Sequence, residues 1–582
     1  MVLYYTVFEN LGVVARHQRV ENFGRQMLML ENVQSASLEL PAGPWELLAL
    51  YGTHAREANR SRCAMQPGIR QVESTCGSSS PRHQPFLALL GPHTTETEGE
   101  VYALHLCYSG NFLARAQQDS FGMVRAQIGI HPEGFRWRLC PGERFTTPEA
   151  ILTYSGAGLN GMSGPFHTLY RDHLMPRRFS SLERPVLLNS WESMYYDVSL
   201  AKIEEQAELA RQAGVELFVL DDGWFRAENT SRTSMGDWVC NESKLPGGIV
   251  WAAQIVHDKG MKFGLWFEPE AVCRNSELYR LHPDWTLHIP GYTPLEGRHE
   301  YLLDLGRQAV QEHLFAVLDG YLKLGCIEYI KWDMNRPLTD VQSDVLSPDR
   351  KGETAHRYVL GLYALLDRVT KVYPELLIEG CSSGGARFDP GMLYYVAQNW
   401  TSDNTDALDR LTIQDGFSLL YPSAAMGAHV SIAPNHQTGR FMPLDTRYQA
   451  ARLFNLGYEL DLTRCAASER EAIRRQIAEH KAERGWMQTG RFYRHDTGRD
   501  NYTMWSQVAA DGSQVQMVIF QKRYDPLYCH TRFRALGLDA AADYRDTGTG
   551  RVYGGDELMQ LGLTVPLVKE DCHAFALHLE RC

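Results

Sequence analysis

Two rhythms of apolar and polar positions divide the chain. Up to about residue 165 the apolar positions come in short bursts, VQSASLEL, VYALHLCYS, MVRAQIGI and FRWRL, parted by Gly, Pro and polar turns. This is strand text. From 185 to about 465, apolar runs instead end in polar signatures: PVLLNSWE, VELFVLDDGWF, KFGLWFEPE, CIEYIKWDMN, LLIEGCSSGG, YVAQNWTSDNTD, SLLYPSAAMGAH and NLGYELDLT. Between most of them lie helix-period stretches such as SLAKIEEQAELARQAG and AVQEHLFAVLDGYLKLG. Eight strands alternating with helices predict a parallel (β/α)8 barrel. A helical tail, SEREAIRRQIAEHKAE, follows, and after 488 short strands return as NYTMWSQVA, VQMVIFQK and VPLVKEDCHAFALHL. The expected class is therefore α/β. A TIM barrel at 185–487 is flanked by an N-terminal β-sandwich (1–165), a helical linker (166–184, within PFHTLYRDHLMPRRFSSLERP) and a small C-terminal β-sandwich (488–582).

Composition narrows the classes of function. With 582 residues, 44% of them hydrophobic and 22% charged, the chain can bury a large core. A net charge of -12 argues against a nucleic-acid partner, which would want a basic face. No uninterrupted apolar window is long enough for a membrane span, and MVLYYTVFEN lacks the basic region and apolar core of a leader peptide. Twelve scattered cysteines without a C-x-x-C pair suit free thiols in a reducing cytoplasm, so a cytoplasmic location is expected.

Two motif matches mislead. G-C-S-S-G at 380–384 fits the nucleophile elbow of serine hydrolases, and Asp403 with His429 or His436 supplies the order Ser, Asp, His. The elbow needs a helix directly after it, whereas ARFDPGMLYY brings Pro390 and Gly391. G-A-G-L-N-G at 156–161 fits a dinucleotide fingerprint, but no βαβ unit surrounds it, and a domain-junction loop is expected there.

The informative residues are acids at the strand ends, because that rim of a barrel carries its chemistry. Asp221, Asp222, Glu268, Glu270, Asp333 and Asp403 all collect there. Taken singly, each is more often a solvated loop acid. Together with Trp191, Trp224, Trp266, Trp332 and Trp400 they suit a sugar site: carboxylates accept from hydroxyls, indoles stack on a pyranose, and two acids cleave the glycosidic bond. By the two-residue period of a strand, Lys331 and Asn335 share a side with Asp333. A nearby ammonium would favour the carboxylate, as a nucleophile needs, although a plain Lys–Asp pair reads equally well. Asp403 is the natural second acid, in a loop with few basic residues that would let its pKa rise. Asp406 reads better as the cap of the helix that TDALDRL begins. The residues alone leave open which acid does what.

LDDGWF, GLWFEPE with LYRLHPDW, IKWDMNR, CSSGGARFDPGMLYY and SDNTDALDR resemble, in order and spacing, the motifs of the glycoside hydrolase family 36 α-galactosidases, the melibiases. The resemblance extends from YYTVFEN and VVARHQRVENFG to the C-terminal strands. It implies that Asp333 is the nucleophile and Asp403 the general acid/base. Asp221 and Asp222 would accept from the galactose 4- and 6-hydroxyls. Trp266 and Arg298 would line the pocket, and Lys331 and Asn335 would stand beside the nucleophile. Cys381 would lie against the axial hydroxyl, with Trp332 and Gly384 completing the substrate contacts. Ser383 and Ala386 stand where the family's cluster is richer in glycine. The resemblance also implies a shortened N-terminal sandwich with an open edge, assembly into homo-oligomers, a galactose-containing oligosaccharide as substrate, and no metal or organic cofactor.

The activity so implied is retaining hydrolysis of terminal α-1,6-linked galactose from melibiose- and raffinose-type sugars, with the two carboxyl groups about 5–5.5 Å apart. Three rivals make different demands. A galactosyltransferase would favour a sugar acceptor over water. A galactoside-binding protein would bind without turnover. A serine esterase would require Ser382.

Overall fold

The computed structural model describes residues 1–526, 531–566 and 568–582. Eight parallel strands close into a barrel: β1 Leu187–Asn189, β2 Leu217–Leu220, β3 Lys262–Phe267, β4 Tyr329–Trp332, β5 Leu377–Gly380, β6 Gln398–Trp400, β7 Met426–Ser431 and β8 Asn455–Glu459. Each overlaps one of the eight predicted segments, although β6 and β7 lie past the apolar part of theirs. Seven of them are buried along their whole length and only Lys262, at the start of β3, is exposed, as expected for strands covered on both faces. Most polar signatures begin where the strand leaves the barrel; the exception is SLLYPSAAMGAH, of which only Met426–His429 lies in β7 while Ser418–Tyr421 follows the helix Ala407–Phe417. All eight strands leave at the same rim.

Strands dominate on both sides of the barrel. On the N-terminal side a sheet runs from Val2–Phe8 through Val13–Glu21, Glu149–Ser155, Val101–Cys107, Phe86–Leu90 and Glu46–Thr53 to Arg56–Ala64. A three-stranded sheet of Phe112–Gln118, Val124–Ile130 and Gln34–Leu40 packs with it through one apolar core. Val2–Phe8 is the terminal strand, and its Tyr5 and Val7 are exposed. After the helix Ala467–Thr489, a six-stranded sheet and a two-stranded sheet share a separate core around Met504, Met517, Phe533 and Tyr544. Of the predicted strand text VPLVKEDCHAFALHL, residues 573–579 pair with Val515–Gln521, and Leu567 lies outside the described residues.

One connection differs from expectation. The G-A-G-L-N-G stretch is not wholly a loop: Gly158 opens a helix, Gly158–Leu169, that carries Pro165 inside it. Glycine and proline disguise its period, yet Leu159, Met162, Phe166 and Leu169 are buried on one side and hold the helix by packing. No helix among the described residues is long and apolar enough to cross a membrane, and every described cysteine is free.

Candidate active site

A cavity of about 220 Å³ opens at the rim where the strands end. Six of the strands and the turns after them supply one to three wall residues each. Trp191 and Glu192 follow β1, Asp221 and Asp222 follow β2, and Trp266 stands on β3. Lys331, Asp333 and Asn335 come from β4, Trp400 and Asp403 from β6, and Glu459 from β8. Arg298 reaches it from the loop before β4. Eight of the residues expected from the sequence thus share one cavity: Asp221, Asp222, Trp266, Arg298, Lys331, Asp333, Asn335 and Asp403.

Four N–H donors converge on Asp333. Its Oδ2 accepts from Trp266 Nε1 at 3.2 Å and Asn335 Nδ2 at 2.8 Å, and its Oδ1 from the Met334 amide at 2.8 Å and the Ser383 amide at 3.3 Å. Asn335 is itself held, because its Nδ2 also donates to Glu268 Oε2 at 2.8 Å. Glu268 is fully buried, and burial, then the charges of Glu300 and Asp333, push its carboxyl well above the usual range.

The expected Lys331–Asp333 pairing does not form. Lys331 does point into the cavity, but its ammonium bonds Asp221 Oδ2 at 2.8 Å, past the end of β3, which lies between β4 and β2. Burial would lower the Lys331 pKa, yet Asp221 and other nearby anions hold it well above normal, so the lysine stays charged. Asp221 also accepts from Asn189 Nδ2 at 2.8 Å, and Asp222 is gripped by Arg226 through two bonds of 2.9 and 2.8 Å. Burial pushes the Asp222 carboxyl up, against the opposing pull of Arg226.

Asp403 is half-buried at the rim. Trp400 Nε1 donates to its Oδ1 at 3.1 Å, and His54 Nε2 lies 3.0 Å from its Oδ2. Burial pushes the carboxyl up, but the His54 hydrogen bond and the Lys331 ammonium hold it below its ordinary value. The sequence suggested the opposite, since its nearest basic neighbours in space lie far away in the chain. Asp406 does cap the helix Ala407–Phe417, accepting from the Leu408 and Asp409 amides.

Three expected contacts lie off the cavity. Trp332 alternates outward from β4, is fully buried, and donates to Glu270 Oε1 at 2.9 Å. Glu270 belongs to the same shell, bonded by Arg387 and Tyr358. Cys381 is buried behind the wall, close enough to Asp333 that the carboxylate, after burial itself, pushes its thiol up. Gly384 has a φ of +85°, and a Cβ there would stand 2.7 Å from Glu57 Oε1 and 3.0 Å from the Asp403 amide, so its part is close packing beneath Asp403. Trp224 is likewise core, its indole bonded to the Trp266 carbonyl.

The serine-hydrolase arrangement is not assembled. Ser382 Oγ donates to the Met334 carbonyl at 2.5 Å, His429 Nδ1 pairs with Glu459 at 2.8 Å, and His436 Nδ1 lies 2.7 Å from the Tyr195 hydroxyl.

Sequence reasoning missed His54, Glu192, Gln437 and Glu459, all of which line the cavity. Burial pushes Glu192 and Glu459 up to about 8, with Glu459 adding to the effect on Glu192. Glu192 and Glu459 stand at the ends of two barrel strands, a signal that was legible. His54 lies in the turn YGTHARE, which carries none.

A closed parallel barrel with acids and indoles gathered at one rim defines a barrel glycoside hydrolase. The family model described as Melibiase matches residues 144–490, and the N- and C-terminal domain models of glycosyl hydrolase family 36 match residues 1–140 and 502–579. The chain belongs to glycosyl hydrolase family 36. Alpha-galactosidase AgaA of Geobacillus stearothermophilus is 45% identical over 572 residues, which cover 98% of this chain and 78% of that protein. Its crystal structure superposes with a TM-score of 0.98 at 44% identity, over 100% of this chain and 81% of that one. Substituted variants of AgaA have been solved with raffinose and with stachyose bound, at the same TM-score, identity and coverage.

Proposed function

We propose that this α-galactosidase removes terminal α-1,6-linked galactose from melibiose- and raffinose-type oligosaccharides by double displacement. Asp333 is the nucleophile and Asp403 the general acid/base. The observation that carries the reading is the contrast between the two carboxylates. Asp333 is 6% exposed and fixed by four N–H donors, with no cation among the described residues bonded to it, so its oxygens are oriented yet free to attack. Asp403 stands 37% exposed at the rim beside a titratable imidazole, where a leaving oxygen and then water can reach it. Raffinose and stachyose bound to AgaA variants support the substrate class.

In the first half-reaction Asp333 bonds to the anomeric carbon as the C1–O bond breaks, and Asp403 gives its proton to the departing oxygen. In the second, Asp403 takes a proton from water, which displaces Asp333 and releases α-galactose. The 220 Å³ cavity suits a single ring, hence removal of one terminal sugar at a time. Asp221 and Asp222, oriented by Lys331 and Arg226, offer paired acceptors to hydroxyls at the closed end.

Asp333→Ala tests the assignment. The variant should lose aryl α-galactoside turnover by at least about 10³-fold, and added azide should restore it with β-galactosyl azide as product. Wild-type activity in the variant would remove Asp333 from the chemistry.

A further inference from the structure

His54 sits at the tip of the hairpin formed by Glu46–Thr53 and Arg56–Ala64, and its Nε2 is 3.0 Å from Asp403 Oδ2. The imidazole is 60% exposed at the cavity rim, so core packing does not require it there. The turn beneath it is clamped on both sides of Asp403. Ser402 Oγ donates to Glu57 Oε2 at 2.5 Å, and Asn404 Nδ2 donates to the Ala55 carbonyl at 3.1 Å. Inside the turn, the Ala55 amide donates to Glu57 Oε1 at 3.1 Å. Residues 402 and 404 thus hold the hairpin, and the ring faces the carboxylate between them. Any donor could orient a carboxylate; an imidazole adds a proton that titrates near neutrality.

We propose that His54 and Asp403 act as one proton-holding pair, with His54 the positioning residue that stores the proton Asp403 delivers to the leaving oxygen. The inference rests on Asp403 being the acid/base. Around the ring, the hydrogen bond to Asp403 raises the His54 pKa, burial lowers it, the charges of Asp403 and Glu57 raise it, and Arg298 opposes them. Around the carboxyl, burial acts upward, and His54, Lys331 and the Trp400 indole act downward with the larger sum. Glu459 and Arg410 face the same carboxyl from β8 and from the helix Ala407–Phe417. In the resting site the shared proton is therefore on the imidazole. For glycosylation it moves from His54 Nε2 to Asp403, and Asp403 protonates the glycosidic oxygen as Asp333 bonds to C1. The alcohol leaves, with a neutral imidazole and a carboxylate behind it. Water then attacks C1, gives its proton to Asp403, and the pair is recharged. The charge and the atoms balance over the cycle with no added reagent.

Activity falls as pH rises through the value at which the pair loses its proton, which is His54's, above the ordinary imidazole value. In His54→Gln the amide can still donate to Asp403 but holds no titratable proton, so the alkaline limb of kcat/KM should move to lower pH, toward a lone carboxyl. At pH 7 the variant should lose about tenfold or more in kcat/KM on raffinose, but less than about threefold on an aryl α-galactoside whose nitrophenolate leaves with little protonation. His54→Asn, too short to reach the carboxylate, should show the same leaving-group dependence. Equal losses on both substrates with an unmoved alkaline limb would overturn the inference. The role of Asp403 is checked separately in Asp403→Gly, where azide should rescue turnover of the activated substrate and yield α-galactosyl azide. That adduct together with an unmoved limb in His54→Gln would sink the pair and leave Asp403 as the acid/base; failure of the adduct would sink both.

Discussion

Lys331 shows what strand parity can and cannot predict. The two-residue period puts it on the same side as Asp333, and the structure agrees, yet its ammonium bonds Asp221 at the end of β2, two strands away. Parity fixes a direction along one strand, while a long flexible side chain chooses among partners that only the closed barrel supplies. The same parity argument places Trp332 outside the cavity. Its indole looks like a sugar platform in the motif IKWDMNR, but alternation between Lys331 and Asp333 turns it toward Glu270. Ser382 makes the complementary case. Its motif reads as a nucleophile, whereas its hydroxyl is spent on the Met334 carbonyl, next to Asp333. Ser382→Ala should keep kcat/KM within about threefold and lower stability by about 1 kcal/mol for the lost hydrogen bond. Steady-state kinetics and thermal unfolding check both, and abolished turnover in a folded variant would restore the serine as a participant.

At the scale of elements, the barrel was legible because most of its strands are apolar runs cut off by a polar signature, Gln398–Trp400 and Met426–Ser431 being the exceptions. Burial on both faces demands the run, and chemistry at the rim demands the cut. The helix Gly158–Leu169 was not legible, since its text carries glycines and a proline and its stability comes from burial against its neighbours. The helix Ala407–Phe417 does more than connect β6 to β7. Its Gly416 lets the Arg56–Ala64 strand approach so closely that a Cβ would stand 1.7 Å from the Ala58 carbonyl oxygen. A backbone atom cannot yield as a flexible side chain can. Gly416→Ala should therefore push the hairpin outward, costing about 1–3 kcal/mol by overpacking. It should also lower kcat on raffinose, because the hairpin carries His54 to Asp403. A lower unfolding temperature without any kinetic change would show that the hairpin's seating and the site are independent.

Across the whole molecule, the site is completed by a residue 349 positions from its partner in the chain. No local pattern in YGTHARE announces such a contact; it exists because one sheet of the N-terminal region docks on the barrel's working rim. Buried and half-buried charges at the junction hold that docking. Arg60 bonds Asp415 at 2.6 Å and Glu96 at 2.5 Å, Arg494 reaches Glu96 at 3.2 Å from beyond the barrel, and the Trp505 indole bonds Asp415 at 3.1 Å. Burial alone would raise the Glu96 pKa, but the two guanidinium groups bring it down to about 2. The junction therefore keeps its charge from neutral pH well into acid. On this framework, we propose, one cavity places a fixed nucleophile and a proton-bearing partner on opposite sides of a galactosyl bond. The most direct test is the anomer formed first when raffinose is hydrolysed, followed by proton NMR before mutarotation sets in. Double displacement through Asp333 predicts α-galactose as the initial product, equilibrating later toward the β form; β-galactose appearing first would contradict it.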